Sequence, residues 1–404
     1  MLNINNIGKQ KGSKESIIQA LRLNGPVSRI ELAELTGLSR ATISIAAAEL
    51  IDSNLVKETE LRQSTGGRPA IALQLAPNTK AILGAEFGNQ EWTLGAFDLL
   101  GNVLQKANIP VTDNSPETVA NTLINNIDTF VQNLNISPVE LLGLGLPGLV
   151  DSKQGIIHSA SDIGWYNVDI GKKISEEIGW PTVLMNRHRA QGLSECRYGA
   201  GQNFNQVIYI GIGTGIAAGL FHNRNFISGA IGGAGELGHI TIEPNGPLCP
   251  CGNRGCLQLL ATGPAMEKEA RMLLRSGTNS LIYSDPSYDL QLLKAEDIYI
   301  AADNNDELSL QVVQKAATYL GIAMANLVNI LNPEAIILGG SIPRNCDNYV
   351  KTAVKVMKQR AMGPLTANIL VTNASFSEIG GALGAANFAF DKLISSPLFN
   401  STNL

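Results

Sequence analysis

The stretch that decides the fold runs from His239 to Cys256 and reads His-Ile-Thr-Ile-Glu-Pro-Asn-Gly-Pro-Leu-Cys-Pro-Cys-Gly-Asn-Arg-Gly-Cys. Proline and glycine separate Cys249, Cys251 and Cys256, which predicts a tight loop. Three thiolates and one imidazole suit the tetrahedral preference of Zn²⁺, and a shell filled by four protein ligands is typical of a structural ion. Free thiols or disulfides are the alternative interpretation.

The residues just before this loop extend the pattern. Gly235-Glu236-Leu237-Gly238-His239 leads into it, and Cys-Pro-Cys-Gly-Asn-Arg-Gly-Cys closes it. Together they resemble the zinc signature of the ROK family, which contains repressors, open reading frames and sugar kinases. The resemblance extends over nearly the whole chain. It implies a two-lobed actin/hexokinase-like ATPase fold, whereas periodicity alone predicts only an α/β protein.

Length and composition bound the organisation of the chain. With 404 residues it is long enough for two or three domains, and 44% apolar against 16% charged residues describes a packed globular protein. The start of the chain lacks the apolar core of a signal peptide, and the most apolar stretch, Ile208–Phe221, is too short and too glycine-rich to span a bilayer. We therefore expect a cytoplasmic location, no membrane partner and reduced thiols.

Helical periodicity and turn residues near the start predict a winged helix-turn-helix. Two short helices flank a glycine turn at Gly37, and two strands flank a basic wing over 64–69. Residues 1–68 carry nine Lys/Arg against seven Asp/Glu, whereas the whole chain has a net charge of −5. A basic segment on an acidic chain suits a DNA-binding module. The predicted helices cover 13–23, 29–35 and 40–52, and the predicted strands cover 55–58 and 70–75.

The third helix of this segment predicts the contacts with operator DNA. In a helix-turn-helix the first residues of the recognition helix reach base edges in the major groove, and a wing reaches phosphate or the minor groove. A helical protein-interaction module is the alternative interpretation of the segment. The expected DNA-binding residues are Ser28, Ser39, Arg40, Ala41, Thr42, Ser44 and Arg68.

From Ala81 onward, predicted strands and helices alternate, which is typical of an α/β body. The sequence therefore divides into three expected domains. The winged helix-turn-helix covers 1–77. The first α/β lobe covers 78–190 and is completed by a C-terminal helix over 380–395. The second α/β lobe covers 191–379 and contains the metal loop over 239–256.

The resemblance raises the question of kinase activity. The family's first phosphate loop reads Asp-x-Gly-Gly-Thr, but this chain has Glu86-Phe87-Gly88-Asn89-Gln90. The family kinases have Asn-Asp where this chain has Asn186-Arg187, and that Asp takes the proton of the attacking sugar hydroxyl. A guanidinium stays protonated and cannot act as this base, so we expect no kinase activity. The remaining nucleotide-loop positions, which are either phosphate cradles or plain fold turns, are Gly88, Gly213, Thr214, Gly215, Gly339 and Gly340.

The resemblance also implies a sugar site. Gln258 stands where the family has Glu, and an amide still bonds a hydroxyl, though more weakly. His239 would serve both the metal and the ligand. Arg187 either pairs with Glu236 or meets an anionic effector such as a sugar phosphate, and both interpretations stay open. The expected sugar-binding residues are Asn186, Arg187, Glu236, His239 and Gln258.

These expectations describe a sugar-responsive repressor of carbohydrate genes, in the repressor branch of the family (the xylose and N-acetylglucosamine repressor type). We expect operator DNA, a sugar or sugar phosphate effector and a second copy of the chain as partners, in a homodimer or homotetramer. A structural Zn²⁺ is the expected cofactor. Some family members are controlled by a sugar-transport phosphotransferase protein, which adds a further candidate partner. A hexose kinase with an appended head, and an interaction protein that does not bind DNA, are the alternatives.

Overall fold

A computed structural model describes residues 12–60, 71–283 and 289–396. In these ranges none of the helices combines the length and apolarity that a bilayer crossing requires. The contacts within the chain divide it into two compact units, which are described separately. Unit 1 comprises Met1–His158, Asn167–Arg187 and Gly381–Leu404, and unit 2 comprises Ser159–Tyr166 and His188–Gly380.

Unit 1 begins with a helix-turn-helix and a three-stranded sheet of order β1-β3-β2. Its elements are α1 (Ser13–Asn24), β1 (Val27–Ser28), α2 (Arg29–Thr36), α3 (Arg40–Asp52), β2 (Val56–Glu60) and β3 (Ile71–Leu75). Ser28 and Glu31 form a capping box that starts α2. Gly37 ends α2 at a φ of 69°, a left-handed conformation that glycine adopts without strain. The predicted wing over 64–69, with Arg68, lies outside the described residues.

Apolar side chains from all three helices form the core of this head. The spacing of Ile17, Ile18 and Leu21 predicted one inward face of α1, and these residues are at most 2% exposed. Ile43 and Leu50 of α3 are equally buried. Strand β1 was missed by the sequence reasoning, because two residues give no alternation to detect; it pairs antiparallel with β3.

The α/β part of unit 1 is built on a five-stranded sheet of order β11-β7-β4-β5-β6. The elements of this stretch are β4 (Ala81–Gly88), β5 (Glu91–Phe97), β6 (Val103–Pro110), α4 (Pro116–Gln132), β7 (Pro138–Leu146), β8 (Leu149–Asp151), β9 (Ile156–Ala160), β10 (Trp165–Val168), α5 (Ile170–Ile178) and β11 (Thr182–Asn186). Strands β4, β7 and β11 are parallel, whereas β4, β5 and β6 form an antiparallel meander. The carboxyl ends of the parallel strands therefore meet at one edge of the sheet, where ligands of α/β proteins bind.

Unit 2 contains a second five-stranded sheet, of order β14-β13-β12-β15-β16. Its helices and strands are α6 (Arg187–Tyr198, whose first residue belongs to unit 1), β12 (Gln206–Ile212), β13 (Ile216–His222), β14 (Asn225–Phe226), α7 (Gln258–Ala261), α8 (Gly263–Arg275), α9 (Ala295–Asp303), α10 (Glu307–Leu331), β15 (Ala335–Gly339), α11 (Ser341–Asn345), α12 (Asp347–Arg360), α13 (Gly363–Thr366) and β16 (Leu370–Asn373). The 25-residue helix α10 supplies much of the apolar core, with Val313, Ala317 and Leu320 fully buried. The side chain of Asp306 caps its N-terminus.

The last helix, α14 (Gly380–Ile394), brings the chain back to unit 1 and packs on its sheet. Gly84 of β4 and Gly143 of β7 are neighbours in register, and a methyl group on either would overlap the backbone oxygen of Ala382 or Ala385. Two glycines therefore let the helix backbone lie directly on the sheet.

Helix α14 also contacts the head of unit 1. Arg22 of α1 forms an ion pair with Asp391, and its guanidinium lies 5.2 Å from the ring centre of Phe390. Close by, the hydroxyl of Ser395 donates a 2.8 Å hydrogen bond to Glu15 of α1. We call these residues the head–helix contact. The side chain of Arg22 is only 4% exposed, so this ion pair is largely desolvated.

Candidate functional site

The four residues predicted to bind a metal lie together in unit 2. One atom from each of His239, Cys249, Cys251 and Cys256 lies within 4.8 Å of all the others. The sulfurs of Cys251 and Cys256 are 3.7 Å apart, and the Cys249 sulfur is 3.9 Å from Nδ1 of His239. Four ligands at about 2.3 Å from a tetrahedral ion stand about 3.8 Å apart. The donor set and the spacing therefore fit a metal ion of this geometry.

Short backbone pairings hold the metal loop in shape. Isolated β-bridges join Thr241 to Cys256 and Leu248 to Arg254. The amide of Asn253 donates to the hydroxyl of Thr241 at 2.9 Å, and the N–H of Cys249 donates to the Asn253 carbonyl at 2.7 Å. The backbone at Cys249 and Cys256 is therefore held by pairings within the loop.

The thiols of the loop are in the reduced form. All five cysteines lie in the described ranges and are free, and the 3.7 Å separation of Cys251 and Cys256 is far longer than a disulfide bond of about 2.05 Å. Burial and the neighbouring thiols raise the pKa of the Cys256 thiol to about 12. A bound cation would favour the thiolate form, because metal binding displaces protons from its ligands.

Gln258 lies beside the metal loop, at the first position of α7. Its Nε2 donates to the sulfur of Cys249 at 3.6 Å, and its Oε1 stands 3.9 Å from where a Cβ on Gly215 would be. The residue predicted as a sugar contact therefore also contacts one of the four predicted metal ligands, a position at which supporting hydrogen bonds are common around metals.

Glu236 pairs with an arginine other than the one considered from the sequence. Its carboxylate accepts from Nη2 of Arg189 at 2.6 Å, so Arg189 is its ion-pair partner. The guanidinium of Arg189 also donates to the carbonyl of Gly232, and it lies 6.0 Å from the ring centre of Phe226. The Arg189 side chain is 2% exposed and that of Glu236 is 30% exposed. Sequence reasoning missed this pair because 47 residues separate its members.

Unit 2 also carries the predicted nucleotide-loop positions Gly213, Thr214, Gly215, Gly339 and Gly340. A methyl group on Gly339 would overlap the ring of Tyr209, and one on Gly340 would overlap the carbonyl of Ile212. Close packing therefore explains why Gly339 and Gly340 are glycines. Nothing in the described chain lies within 4 Å of a Cβ on Gly213, so its turn has an open face.

The remaining predicted ligand residues lie in unit 1. Asn186 ends β11, and its Nδ2 donates to the carbonyl of Gly148 at 2.9 Å. Arg187 follows, and a methyl group on Gly88 would collide with Nη1 of its guanidinium. Gly88 closes β4, and the two residues after it have φ angles of 52° and 57°, which makes a tight two-residue hairpin turn. Asn186 and Arg187 thus belong to unit 1, whereas Glu236, His239 and Gln258 belong to unit 2.

The predicted DNA contacts lie on the outer face of the head. Arg40, Ala41 and Ser44 are exposed on α3, whereas the hydroxyls of Ser28 and Ser39 are used as helix caps. Sequence reasoning missed Ile45, which is 64% exposed on the same helix. The sequence contained the signal for an outward position. The inward face of the helix was assigned to Ile43, Ala47 and Leu50, and Ile45 shares the opposite face with Ala41, four residues earlier.

The fold and the metal loop define a regulator-like class of protein, in which a winged helix-turn-helix precedes an α/β body with a Cys₃His cluster. The chain belongs to the ROK family, which it matches over residues 82–392. Residues 12–57 match the winged helix-turn-helix DNA-binding family. Both the resemblance stated from the sequence and the fold class are thereby confirmed.

Three proteins illustrate the similarity. The xylose repressor of Bacillus spizizenii is 30% identical over 387 residues, which cover 95% of this chain and 96% of that protein. The DNA-binding transcriptional dual regulator NagC of Escherichia coli is 31% identical over 364 residues, which cover 89% of this chain and 88% of NagC. The crystal structure of a ROK family transcriptional regulator, a homologue of the E. coli Mlc protein, has a TM-score of 0.82 at 28% identity and covers 96% of this chain and 97% of its own.

Proposed function

We propose that this chain is a sugar-responsive repressor that binds operator DNA and controls genes of carbohydrate uptake or catabolism. The observation that carries the proposal is the recognition helix α3, which has a buried inner face and an exposed outer face that carries Arg40, Ser44 and the apolar Ile45. The similarity to a xylose repressor and to NagC supports it. The α/β body acts as the sensor of a sugar or sugar phosphate. The proposed DNA contacts are Ser28, Ser39, Arg40, Ala41, Thr42, Ser44 and Arg68.

We assign the Cys₃His cluster to a structural Zn²⁺, held by His239, Cys249, Cys251 and Cys256. The donor chemistry supports this choice, because three thiolates and one imidazole favour zinc over hard cations. Zinc supplies rigidity to the loop, and all four of its positions are filled by protein. Glu236 and Gln258 lie beside that loop and, with Asn186, Arg187 and His239, are the proposed sugar contacts.

We propose that the body is not an enzyme. Arg187 occupies the position where the family kinases carry their base, and a guanidinium cannot accept the proton of a sugar hydroxyl. The hairpin turn after Gly88 also differs from the family's phosphate loop, since Asn89 adds a side chain where the family has glycine and Gln90 replaces the hydroxyl of threonine. A coupled ATPase assay with a panel of hexoses tests the kinase alternative, which predicts turnover.

Operator DNA is read by a dimer or tetramer in this proposal, because a single helix-turn-helix makes too few base contacts for specificity. The chain therefore acts in the cytoplasm, where its operator lies. A sugar-transport phosphotransferase protein is a further partner that the family resemblance suggests. The proposed domains are the winged head over 1–77, the first lobe over 78–190 with the helix 380–395, and the second lobe over 191–379.

Fluorescence anisotropy tests the repressor proposal. The full chain is titrated onto DNA from upstream of its own and adjacent genes, at two salt concentrations, with xylose, N-acetylglucosamine and other sugars. We expect salt-dependent binding to one fragment, because phosphate contacts release counterions, and we expect one sugar to change the affinity. An Arg40→Ala variant should lose that binding. Absence of specific binding in every combination would overturn the proposal and favour the protein-interaction alternative.

A further inference from the structure

The three thiols of the metal loop differ in their access to solvent. Cys249 and Cys256 are 2% and 0% exposed, whereas Cys251 is exposed. The N–H of Gly252 donates to the carbonyl of Cys249 at 2.9 Å, so residues 249–252 form a turn with Cys251 at its third position. A small oxidant in solvent can therefore reach this one thiol of the loop directly, and the susceptibility of a cysteine to oxidation follows its exposure.

The exposed thiol of Cys251 has a second thiol beside it. Its sulfur lies 3.7 Å from the sulfur of Cys256, and a disulfide bond requires about 2.05 Å. The turn has room to move by this difference, because no described atom beyond the adjacent residues lies within 4 Å of a Cβ placed on Gly252. Cys256 is held by its β-bridge to Thr241. An accessible thiol next to a second thiol is the arrangement of a redox-sensitive cysteine pair.

The two cysteines outside the loop provide an internal comparison. Cys196 lies within α6 and Cys346 directly follows α11, and both are 0% exposed. Buried cysteines of this kind are chemically inert, because oxidants do not reach the sulfur. Exposure therefore distinguishes Cys251 from both of these cysteines.

We propose that Cys251 is a peroxide-reactive thiol and that it forms a disulfide with Cys256 when hydrogen peroxide is present. The Cys251 thiolate attacks one oxygen of the peroxide, the O–O bond breaks, and a sulfenic acid and a hydroxide result. The Cys256 thiolate then attacks the sulfur of the sulfenic acid, the S–O bond breaks, and a second hydroxide leaves. The thiolates lose two electrons to the peroxide, and two protons from solvent convert the hydroxides to water.

The disulfide would dismantle the metal loop. This step rests on the proposed structural Zn²⁺, whose ligand thiols are kept in the thiolate form by the ion. Of the four ligands only His239 and Cys249 would remain, whereas structural zinc sites have four. Oxidation therefore releases the ion. It also frees His239, the residue that the metal shares with the proposed sugar site.

Oxidation of the zinc-loaded full chain tests the cysteine pair. Hydrogen peroxide is added in the presence of a chromophoric chelator that reports free Zn²⁺, and peptide mass mapping locates the oxidised cysteines. We expect stoichiometric release of Zn²⁺ and a disulfide between Cys251 and Cys256, with Cys196 and Cys346 unmodified. Dithiothreitol and added Zn²⁺ should restore the loop, because a disulfide is reversible.

Two histidine variants form a matched pair, because each keeps four ligands that zinc accepts. Cys249→His retains both Cys251 and Cys256, so zinc release should stay within about threefold of the wild-type rate. Cys251→His lacks the exposed thiol and should slow the release at least about tenfold. Cys346→Ala should behave like the wild type. The same chelator measures zinc binding by each variant before oxidation.

Three results would overturn the proposal: retention of zinc under excess peroxide, a disulfide that excludes Cys251, or equal release rates in Cys251→His and Cys249→His. If a variant binds no zinc, the disulfide map of the wild type decides the question by itself. The earlier proposals fail separately. A chain that binds no zinc overturns the structural ion but leaves the disulfide to be mapped, and a chain that binds no DNA overturns the repressor alone, since neither readout uses DNA.

Discussion

Arg189 shows how one buried charged residue can hold a proposed sugar contact in place. Burial lowers the pKa of its guanidinium, while the charge of Glu236 and the hydrogen bond between them oppose that effect. Two of its other contacts, with the Gly232 carbonyl and the Phe226 ring, come from the chain just before Glu236. Arg189 therefore fixes both the carboxylate that is proposed to meet the sugar and the backbone that leads to it.

Removal of Arg189 should strongly destabilise unit 2. Arg189→Ala leaves the Glu236 carboxylate without its partner and removes a buried side chain, so we expect a loss of about 3–5 kcal/mol in the free energy of unfolding. Chemical denaturation monitored by circular dichroism measures it. The control is Arg271→Ala. Arg271 pairs with Glu267 one helical turn away and its side chain is 25% exposed, so the variant should lose less than about 1 kcal/mol in the free energy of unfolding. Equal costs for the two variants would contradict the importance of the buried pair.

Gln258 should tune the affinity of the metal loop. Gln258→Ala removes the donor to the Cys249 sulfur, and loss of such a supporting hydrogen bond lowers metal affinity about 10- to 100-fold. Competition with a chromophoric chelator measures the affinity for Zn²⁺. Cys251→Ser, which removes a ligand, should weaken binding further, whereas Cys346→Ala, at a buried thiol outside the loop, should leave it unchanged. An unchanged affinity in Gln258→Ala would show that the amide has no role at the metal.

At the scale of secondary structure, the outer face of α3 carries an apolar surface that DNA can use. Ile45 is 64% exposed, and Ala41 and Ala48 are exposed on the same face. The inner face of the helix already fills the core of the head, so these side chains contribute little to its stability. In the major groove, small and branched apolar side chains contact the methyl group of thymine.

We therefore expect Ile45 to read thymine. Ile45→Ala should weaken operator binding about fivefold, which corresponds to the loss of about 1 kcal/mol of apolar contact, and should leave the melting temperature unchanged. Anisotropy with an operator in which deoxyuridine replaces single thymines identifies the contacted base. At that base, the loss of affinity caused by removing the methyl group and the loss caused by Ile45→Ala should not add up when both changes are combined. Additive losses at every thymine would mean that Ile45 contacts no methyl group.

The elements that sequence reasoning could predict are those with strong local signals. The bounds of α3 agree with the prediction over 40–52, because the cap at Ser39 marks its start and a clear apolar face follows. Sequence reasoning missed the short strands β1, β8, β9, β10, β14 and β16, since runs of two to five residues show too little periodicity. The metal ligands were predicted from one contiguous segment. The sequence did not predict the partner of Glu236 or the contact of Arg187 with Gly88, because both depend on how distant strands and helices assemble.

At the scale of the molecule, the head–helix contact joins the DNA-binding head to the sheet of unit 1. Arg22 meets Asp391 at one end of α14, and Gly381 lies against Glu86 at the other end. Among the described atoms, Nε and Nη2 of Arg22 are buried without hydrogen-bond partners. The ion pair with Asp391 and the ring of Phe390 are therefore what holds this charge in place.

Breaking this contact should uncouple the head from its sensor. Asp391→Asn removes the charge that faces Arg22, so we expect sugar binding by calorimetry to stay within about twofold and the sugar effect on operator affinity to shrink at least about fivefold. Lys14→Ala, which breaks an ion pair with Glu49 inside the head, is the control and should keep the sugar effect. A full sugar effect in Asp391→Asn would show that the signal does not pass through α14.

The separation of the two halves of the head–helix contact along the chain has a consequence for synthesis. Arg22 and Asp391 are 369 residues apart. At about 5–20 residues per second, a ribosome needs about 20 to 75 s to travel between their codons. During that time the head is already outside the ribosome, but the helix that holds it does not yet exist. A message broken before codon 391 would therefore yield a DNA-binding head that no sugar can govern.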